Sequence, residues 1–548
     1  MIGFLSIATE PVSGLSLAQF KREMIQMTSR NLIRILALTS LISGVSAMPI
    51  FAHASTGAGA DTGTGESSVR IPRSDETHGP ADSASTVKAP LAGVQPKKNM
   101  FDELSVTIGN ETYVTRASGT HSTTSFNEIS ARVRKKSQGP LLSAAIDAGA
   151  SIAANANNYS NIEVPEAYFQ LNVPKTAHQL KREEAGLPVT NHIAVTAGRK
   201  KERWSGLDSD WSLGVVQPFN KFDALRPTEQ GLVGAFADVG TGAANVLLFA
   251  SPFFVPEQTA PFEVKNGKFT TSSPWFAPPP DSLILIGQQR SALYTIAMPE
   301  ISEVVKNPSY GARLRVADPS GEGFYIQGSF LRKPQNSIAI SYTGQLSISE
   351  GTTYGDVTIK PQVVYHSITA ADIGYTTKNL ALEFAALNER PDQPTLTPGL
   401  TTSHFNNATM LSPSVEFRTF TSKIWGPKLR ISYLNTIGGE VIPVGEYAQN
   451  GNLLGQRTTF RRALSTSIES TLHRSTNWSF NASARWVEEL EEQGSVLMTD
   501  FGVGIGDSWK VSVQADLIGS QKPTSYTETF ISKFRANDRV AGRVTYLF

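Results

Sequence analysis

The sequence predicts an all-β fold: a closed antiparallel transmembrane β-barrel of about 18 strands (about 16 to 20), with one loop segment folded inward. Three observations lead there. From Met100 onward, segments of alternating polarity recur to the end of the chain. They run about nine to eleven residues, the length a tilted strand needs to cross a bilayer, whereas soluble strands average about five or six. Aromatic residues cluster at the ends of their apolar rows, as at Trp478 and Trp486, Trp509, and Tyr546 with Phe548. A membrane barrel places aromatic girdles at its two interfaces in this way.

The strands follow in order. Leu104, Val106 and Ile108 alternate with Ser105 and Thr107, and Ile129, Ala131 and Val133 with Ser130, Arg132 and Arg134. Near the C-terminus, Trp478, Phe480, Ala482, Ala484 and Trp486 oppose Ser479, Asn481, Ser483 and Arg485. Trp509, Val511, Val513 and Ala515 oppose Lys510, Ser512, Gln514 and Asp516. The apolar faces admit Ala, Thr and Gly, which lipid tolerates, while the polar faces carry both signs of charge, which suits a wet lumen. Lipid leaves no water for an unpaired sheet edge, so such a sheet must close. About 450 residues at about 25 per strand and turn give the count of about 18.

Composition agrees. The chain has 548 residues, 40% hydrophobic, with a formal net charge of +1 and no cysteine. Disulfides, cysteine-zinc sites and thiol chemistry are excluded. A near-zero charge without basic-aromatic runs gives no nucleic-acid signal. No cofactor motif is present. An α-helical membrane protein needs apolar runs of about 18 residues or more, and only the N-terminal region approaches one.

Residues 1–54 read as a signal peptide behind a start that Met24 or Met27 could supply. Arg30 and Arg34 are its basic region and Ile35 to Ser43 its apolar core. Val45-Ser46-Ala47 and Ala52-His53-Ala54 each offer a small-x-small cleavage site. Residues 55–98 are rich in Ser, Thr, Gly and Ala and read as a disordered periplasmic linker. The barrel is expected over residues 99–548.

The final stretch, Asp538 to Phe548, puts Val540, Gly542, Val544, Tyr546 and Phe548 on one face. A strand ending on Phe resembles the terminal signal of bacterial outer-membrane barrels. That resemblance implies that the assembly machinery reads Val544, Tyr546 and Phe548; the final strand of a soluble sandwich is the alternative. With the export segment, long strands and girdle residues Trp478, Trp486 and Trp509, the chain resembles the general class of bacterial outer-membrane porins over about residues 100–548. No specific family is marked. The resemblance implies location in the outer membrane of a Gram-negative envelope. It also implies contact with outer-membrane lipid and lipopolysaccharide, termini on the periplasmic side, and diffusion of small polar solutes. A second copy of the chain is a further partner compatible with such a barrel. A TonB-dependent transporter or an autotransporter needs a folded plug or passenger that residues 55–98 do not supply.

Two stretches break the strand rhythm, Gly198 to Gln230 and Ser251 to Arg290. Long irregular loops rich in aromatics are functional more often than disordered. The first is expected to narrow the pore, lined by Arg199, Lys200, Lys201, Arg203, Asp208, Asp210, Lys221, Asp223 and Arg226. Facing charges of both signs would set a transverse field there. A loop folded over the rim is the other reading. Pro299 to Asn307 is expected to hold a short helix. Arg132, Arg134, Arg313, Arg315, Arg485, Lys510, Asp516 and Arg543 fall on the polar faces as lumen charges, where they would favour anions or compensate one another. An outer-membrane hydrolase would use His366 or His473, but neither G-x-S-x-G nor H-E-x-x-H occurs, and no catalytic residue is assigned. A plugged barrel acting through its loops is the remaining alternative.

Overall fold

The computed structural model describes residues 101–548 except 115–124, 157–158, 174–191, 242, 286–287, 319, 350–351, 395–397, 419–425, 446–456, 475–476, 492 and 521–528. The expected signal peptide and linker lie outside the described residues. Eighteen strands form one sheet. They are β1 (Glu103–Tyr113), β2 (Ser125–Gln138), β3 (Leu142–Ala153), β4 (Ser160–Asn172), β5 (His192–Lys200), β6 (Leu232–Thr241), β7 (Ala244–Ser251), β8 (Ser309–Ala317) and β9 (Gly323–Pro334). They continue as β10 (Tyr365–Thr376), β11 (Leu380–Pro391), β12 (Ala408–Arg418), β13 (Lys428–Gly438), β14 (Arg462–Arg474), β15 (Trp478–Glu489), β16 (Gly494–Ile505), β17 (Trp509–Ser520) and β18 (Arg539–Leu547). Each pairs antiparallel with its sequence neighbours, and β18 returns to β1 from Ser105↔Leu547 to Tyr113↔Arg539. The ladder has no free edge, as backbone groups in lipid require.

The alternation places the faces as the period of two demands. Ile108, Ile162, Phe169, Ile326 and Phe501 stand exposed on the outside. Asp147, Thr196, Arg313, Gln327 and Asp516 are buried inside. β1 begins and β18 ends at one end of the barrel, here the terminal end. Three-residue connections at that end join β2 to β3 and β10 to β11, as the strand limits show. Several long connections run at the distal end, among them 201–231, 252–308, 335–364, 392–407 and 439–461.

Those distal loops form a second, six-stranded sheet, in the order Ser282–Leu285, Gln288–Ile296, Thr352–Gln362, Ala339–Ser349, Thr401–Phe405 and Val441–Val444. Ala292, Tyr294, Val357 and Ile359 are its buried core, with Phe269 packed against them. This sheet was not visible in the sequence as a separate layer. Its strands continue the barrel's own alternation. The helix expected over 299–307 is α2 (Ile301–Val305), preceded in the chain by α1 (Gly206–Trp211) and followed by α3 (Phe530–Phe534).

Candidate functional site in the barrel lumen

Residues 201–231 leave the distal end of β5 and fold as a compact unit. Ser205 is extended and α1 follows for six residues. Ser212 takes a left-handed φ of 50° and stops the helix. The chain then doubles back, and the Asp208 carboxylate accepts the backbone N–H groups of Val215, Val216 and Gln217 at 2.9, 3.1 and 3.3 Å. Gln217 closes the strap, donating from Nε2 to Glu202 O at 2.9 Å and accepting from Glu202 N at 3.3 Å. Phe219–Lys221 pairs with Thr228–Glu229 and with Gln258–Thr259 of the next loop. No residue from 201 to 231 is exposed. Burial lifts the Asp208 carboxyl above the usual carboxylate range against those three N–H donors. Burial likewise raises Asp210, opposed by the Arg430 guanidinium.

Ion pairs fix this unit to the wall on several sides. Arg203 donates to Glu383 on β11 at 2.7 and 2.9 Å. Gly206 N donates to Asp372 on β10 at 3.0 Å, and a Cβ at residue 206 would meet the Glu383 carboxylate. On β8, Arg313 reaches Glu202 at 3.1 Å and Arg203 O at 3.0 Å. Trp211 Nε1 donates to Ser412 Oγ on β12 at 3.0 Å. Arg430 on β13 pairs with Asp210, and Arg485 on β15 donates to Asp210 O at 3.1 Å while lying 5.8 Å above the Trp211 ring. Arg226 pairs with Asp500 on β16 and Asp516 on β17, both at 2.6 Å. Arg539 on β18 pairs with Asp223 at 2.6 Å, with Asp516 at 2.7 Å and with Glu111 on β1 at 3.0 Å.

Toward the distal end of most strands the contact is apolar. Trp204, Leu207, Trp211 and Leu213 join inward side chains of the wall, including Leu247, Leu331, Ile368, Leu387, Met410, Leu434, Val487, Val496 and Ile518, in one core. Trp275, Phe460 and Phe530 from other distal loops complete it. The inner face therefore carries apolar residues on most strands near its distal end, interrupted by Lys333, His366, Glu389 and Arg539, and is polar below. A wet pore gains nothing from inward Leu and Val, whereas burying each against the segment contributes roughly 1.5–3 kcal/mol.

The sequence-derived positions separate accordingly. Arg203, Asp208, Asp210, Asp223 and Arg226 belong to the infolded unit. Arg199 and Lys200 are the last residues of β5. Lys200 pairs with Glu202 at 2.8 Å, and strand alternation sets Arg199 on the opposite face, where it donates to Val164 O at 2.9 Å. Lys201 N donates to Glu166 at 3.1 Å. Lys221 pairs with Glu257 at 2.9 Å, joining two distal loops. Below the segment, Arg132 and Arg134 share Asp147 at 2.8 and 3.4 Å, and Arg543 reaches Glu111 at 3.5 Å. Arg315 lies 4.8 Å over the Tyr325 ring, and Lys510 is half-buried on β17. Trp478, Trp486, Trp509, Val544 and Phe548 stand exposed, with the Tyr546 ring between Trp509 and Phe548 at 4.9 and 4.8 Å.

His366 is buried, with Nδ1 at 2.5 Å from Glu389 Oε1 and Nε2 at 3.4 Å from Lys333 Nζ. Both ring nitrogens are thus occupied. The side chain of His473 lies outside the described residues. Among the described residues, no group of three or more His, Asp or Glu side chains is placed to hold a metal. Asp372, Ser412 and Arg539 were not singled out from sequence. Their signal is only that a polar residue sits on an inward face.

No protein-family model matches the chain, and no curated protein matches it in sequence. Among solved structures, it is similar to Acinetobacter baumannii OccAB4, at 9% identity and a TM-score of 0.37, covering 81% of this chain and 96% of that one. It is similar to Salmonella typhi OmpF, in a complex with daunomycin, at 11% identity and a TM-score of 0.35, covering 81% and 97%. It is also similar to Wzi, an outer-membrane protein involved in group 1 capsule assembly in Escherichia coli, at 8% identity and a TM-score of 0.36, covering 81% and 84%. The fold itself is read from this chain's own closed eighteen-strand ladder.

Proposed function

We propose that the chain is a bacterial outer-membrane channel of low resting conductance, passing small polar solutes through a lumen narrowed by residues 199–230. The apolar outer belt supports the membrane setting and the closed ladder supports the barrel as conduit. The observation that carries the reading is the charged, water-compatible lower lumen, which ends on a segment held to the wall by ion pairs at Glu383, Arg430, Asp500, Asp516 and Arg539. Pairs of that kind set both the width of a constriction and the charge a solute meets.

A second reading is a barrel kept plugged and acting through its distal sheet. It is favoured by the apolar core that joins segment and wall. Swelling of proteoliposomes separates the two. The channel reading expects influx of small neutral and charged solutes, falling steeply with solute size. Absence of influx, from a chain that has inserted and migrates as a folded barrel, would leave the plugged barrel.

A further inference from the structure

We propose that His366 is a positioning residue that unlatches the inner segment in acid, because a proton added between His366 and Lys333 frees Asn336 from its hold on residues 214–216; this rests on the seating of residues 201–231 in the lumen. The turn at 214–217 is gripped from two sides. Asp208 accepts its N–H groups. Asn336, in the connection that follows β9, binds its carbonyls: Nδ2 donates to Gly214 O at 2.7 Å, Val215 O at 3.3 Å and Val216 O at 3.4 Å. Asn336 is in turn aimed by Lys333, whose Nζ donates to Oδ1 at 2.7 Å. An ammonium has only donors, so it turns the amide oxygen toward itself and the NH2 toward the segment.

Lys333, Asn336, His366 and Glu389 are all buried, and matching donors to acceptors places their protons. The ammonium has three donors. Pro334 O at 2.8 Å and Asn336 Oδ1 take two, and His366 Nε2 at 3.4 Å takes the third. Nε2 is then the bare ring nitrogen, and Nδ1 carries its proton toward Glu389. The contact between Nζ and Nε2 needs one lone pair, and it survives with the shared proton on either nitrogen. A second proton removes that lone pair. Two donors and two like charges then face each other in a buried site, where salt screens them little. The surrounding charges do not offset this. Glu389, the acid that faces the ring, is already shared with Arg457. Glu257 and Asp208 face Lys333 from the distal loop and the segment; Glu257 pairs with Lys221, and Asp208 is engaged by three backbone N–H groups. Relief comes from Lys333 moving off the ring, and Asn336 then loses the donor that aims its NH2 at the segment.

The test follows amide hydrogen exchange of the full chain folded in detergent micelles, at about pH 7 and about pH 3.5. Protection of residues 214–217 is referenced to β16 and β17 in the same sample, which cancels the direct effect of pH on exchange. In acid, wild type should lose about tenfold or more of that protection, the worth of one charge-assisted hydrogen bond. His366→Gln keeps an acceptor for Lys333 and a donor for Glu389 but takes up no proton. It should match wild type at about pH 7 and stay protected in acid. Lys333→Met removes the facing cation and the anchor of Asn336 together, so 214–217 should exchange fast at about pH 7 and change no further in acid. Equal protection of wild type at the two pH values would overturn the latch. An equal acid loss in His366→Gln would overturn it too, by placing the proton elsewhere. Asp208 does not mimic the effect, since burial raises its carboxyl and its protonation stabilises the seated segment in acid. Heat-modifiable migration reports the folding of each variant. Conductance in planar bilayers judges the channel reading separately: a barrel that conducts at neither pH while 214–217 loosens in acid would sink the channel and uphold the latch.

Discussion

Removing Arg226 probes the seat of the inner segment at its most concentrated point. Its guanidinium meets Asp500 and Asp516 and also donates to Thr499 O at 3.3 Å. The side chains are 16% exposed for Arg226, 10% for Asp500 and 0% for Asp516. Arg226→Ala leaves Asp516 with Arg539 but strips Asp500 of its partner. Breaking a buried pair from one side costs about 3–5 kcal/mol, which shifts the equilibrium between seated and released segment by about a hundredfold to several thousandfold. Asp500→Asn removes the orphaned charge, so the double variant should recover a large part of that loss. In planar bilayers, Arg226→Ala should open more often or to a larger level than wild type, and Arg226→Ala with Asp500→Asn should lie between them. Identical traces for all three would refute the claim that this pair holds the segment in the lumen.

Three further outcomes follow from the same contacts. Trp204→Ala, in the apolar core, should cost about 3–5 kcal/mol of stability, read as a lower Tm of the refolded barrel. Gly206→Ala should drive Glu383 from Arg203, since the new Cβ meets that carboxylate, and should raise conductance without changing the amount of barrel folded. Asp208 gives the pH dependence. Burial holds its folded pKa above the unfolded one, so its contribution to stability is greatest below the unfolded carboxylate range and falls as pH rises through the raised value. Asp208→Asn should flatten that part of a Tm profile taken across about pH 3 to 7, and an unchanged profile would contradict the assignment.

The barrel was legible because lipid imposes a rule that the sequence must print: apolar outside, alternating, at bilayer length. Trp478 to Trp486 and Trp509 to Leu517 show it without help from context. The inward-folded segment was legible as a break in rhythm at Gly198, but its seat was not. Leu331, Leu387, Leu434 and Val496 occupy inward positions among polar ones, and along one strand each reads as a minor irregularity. Only closure brings them to the same level, where they make a wall that packs against Trp204 and Leu207. The pairs that matter most, Arg226 with Asp516 and Arg539 with Asp223, join residues 290 and 316 positions apart, as their numbers show. No local period encodes such a partner. The distal sheet was hidden for another reason, since Ala339–Ser349 and Thr352–Gln362 have the same length and alternation as barrel strands.

The central claim is that residues 201–231 are a packed part of the barrel interior. Amide hydrogen exchange on that segment tests it most directly. The account predicts that the N–H groups of Val215, Val216 and Gln217, bonded to Asp208 inside the lumen, exchange nearly as slowly as those of β16 and β17. Exchange of these three amides at the rate of an open surface loop would contradict it.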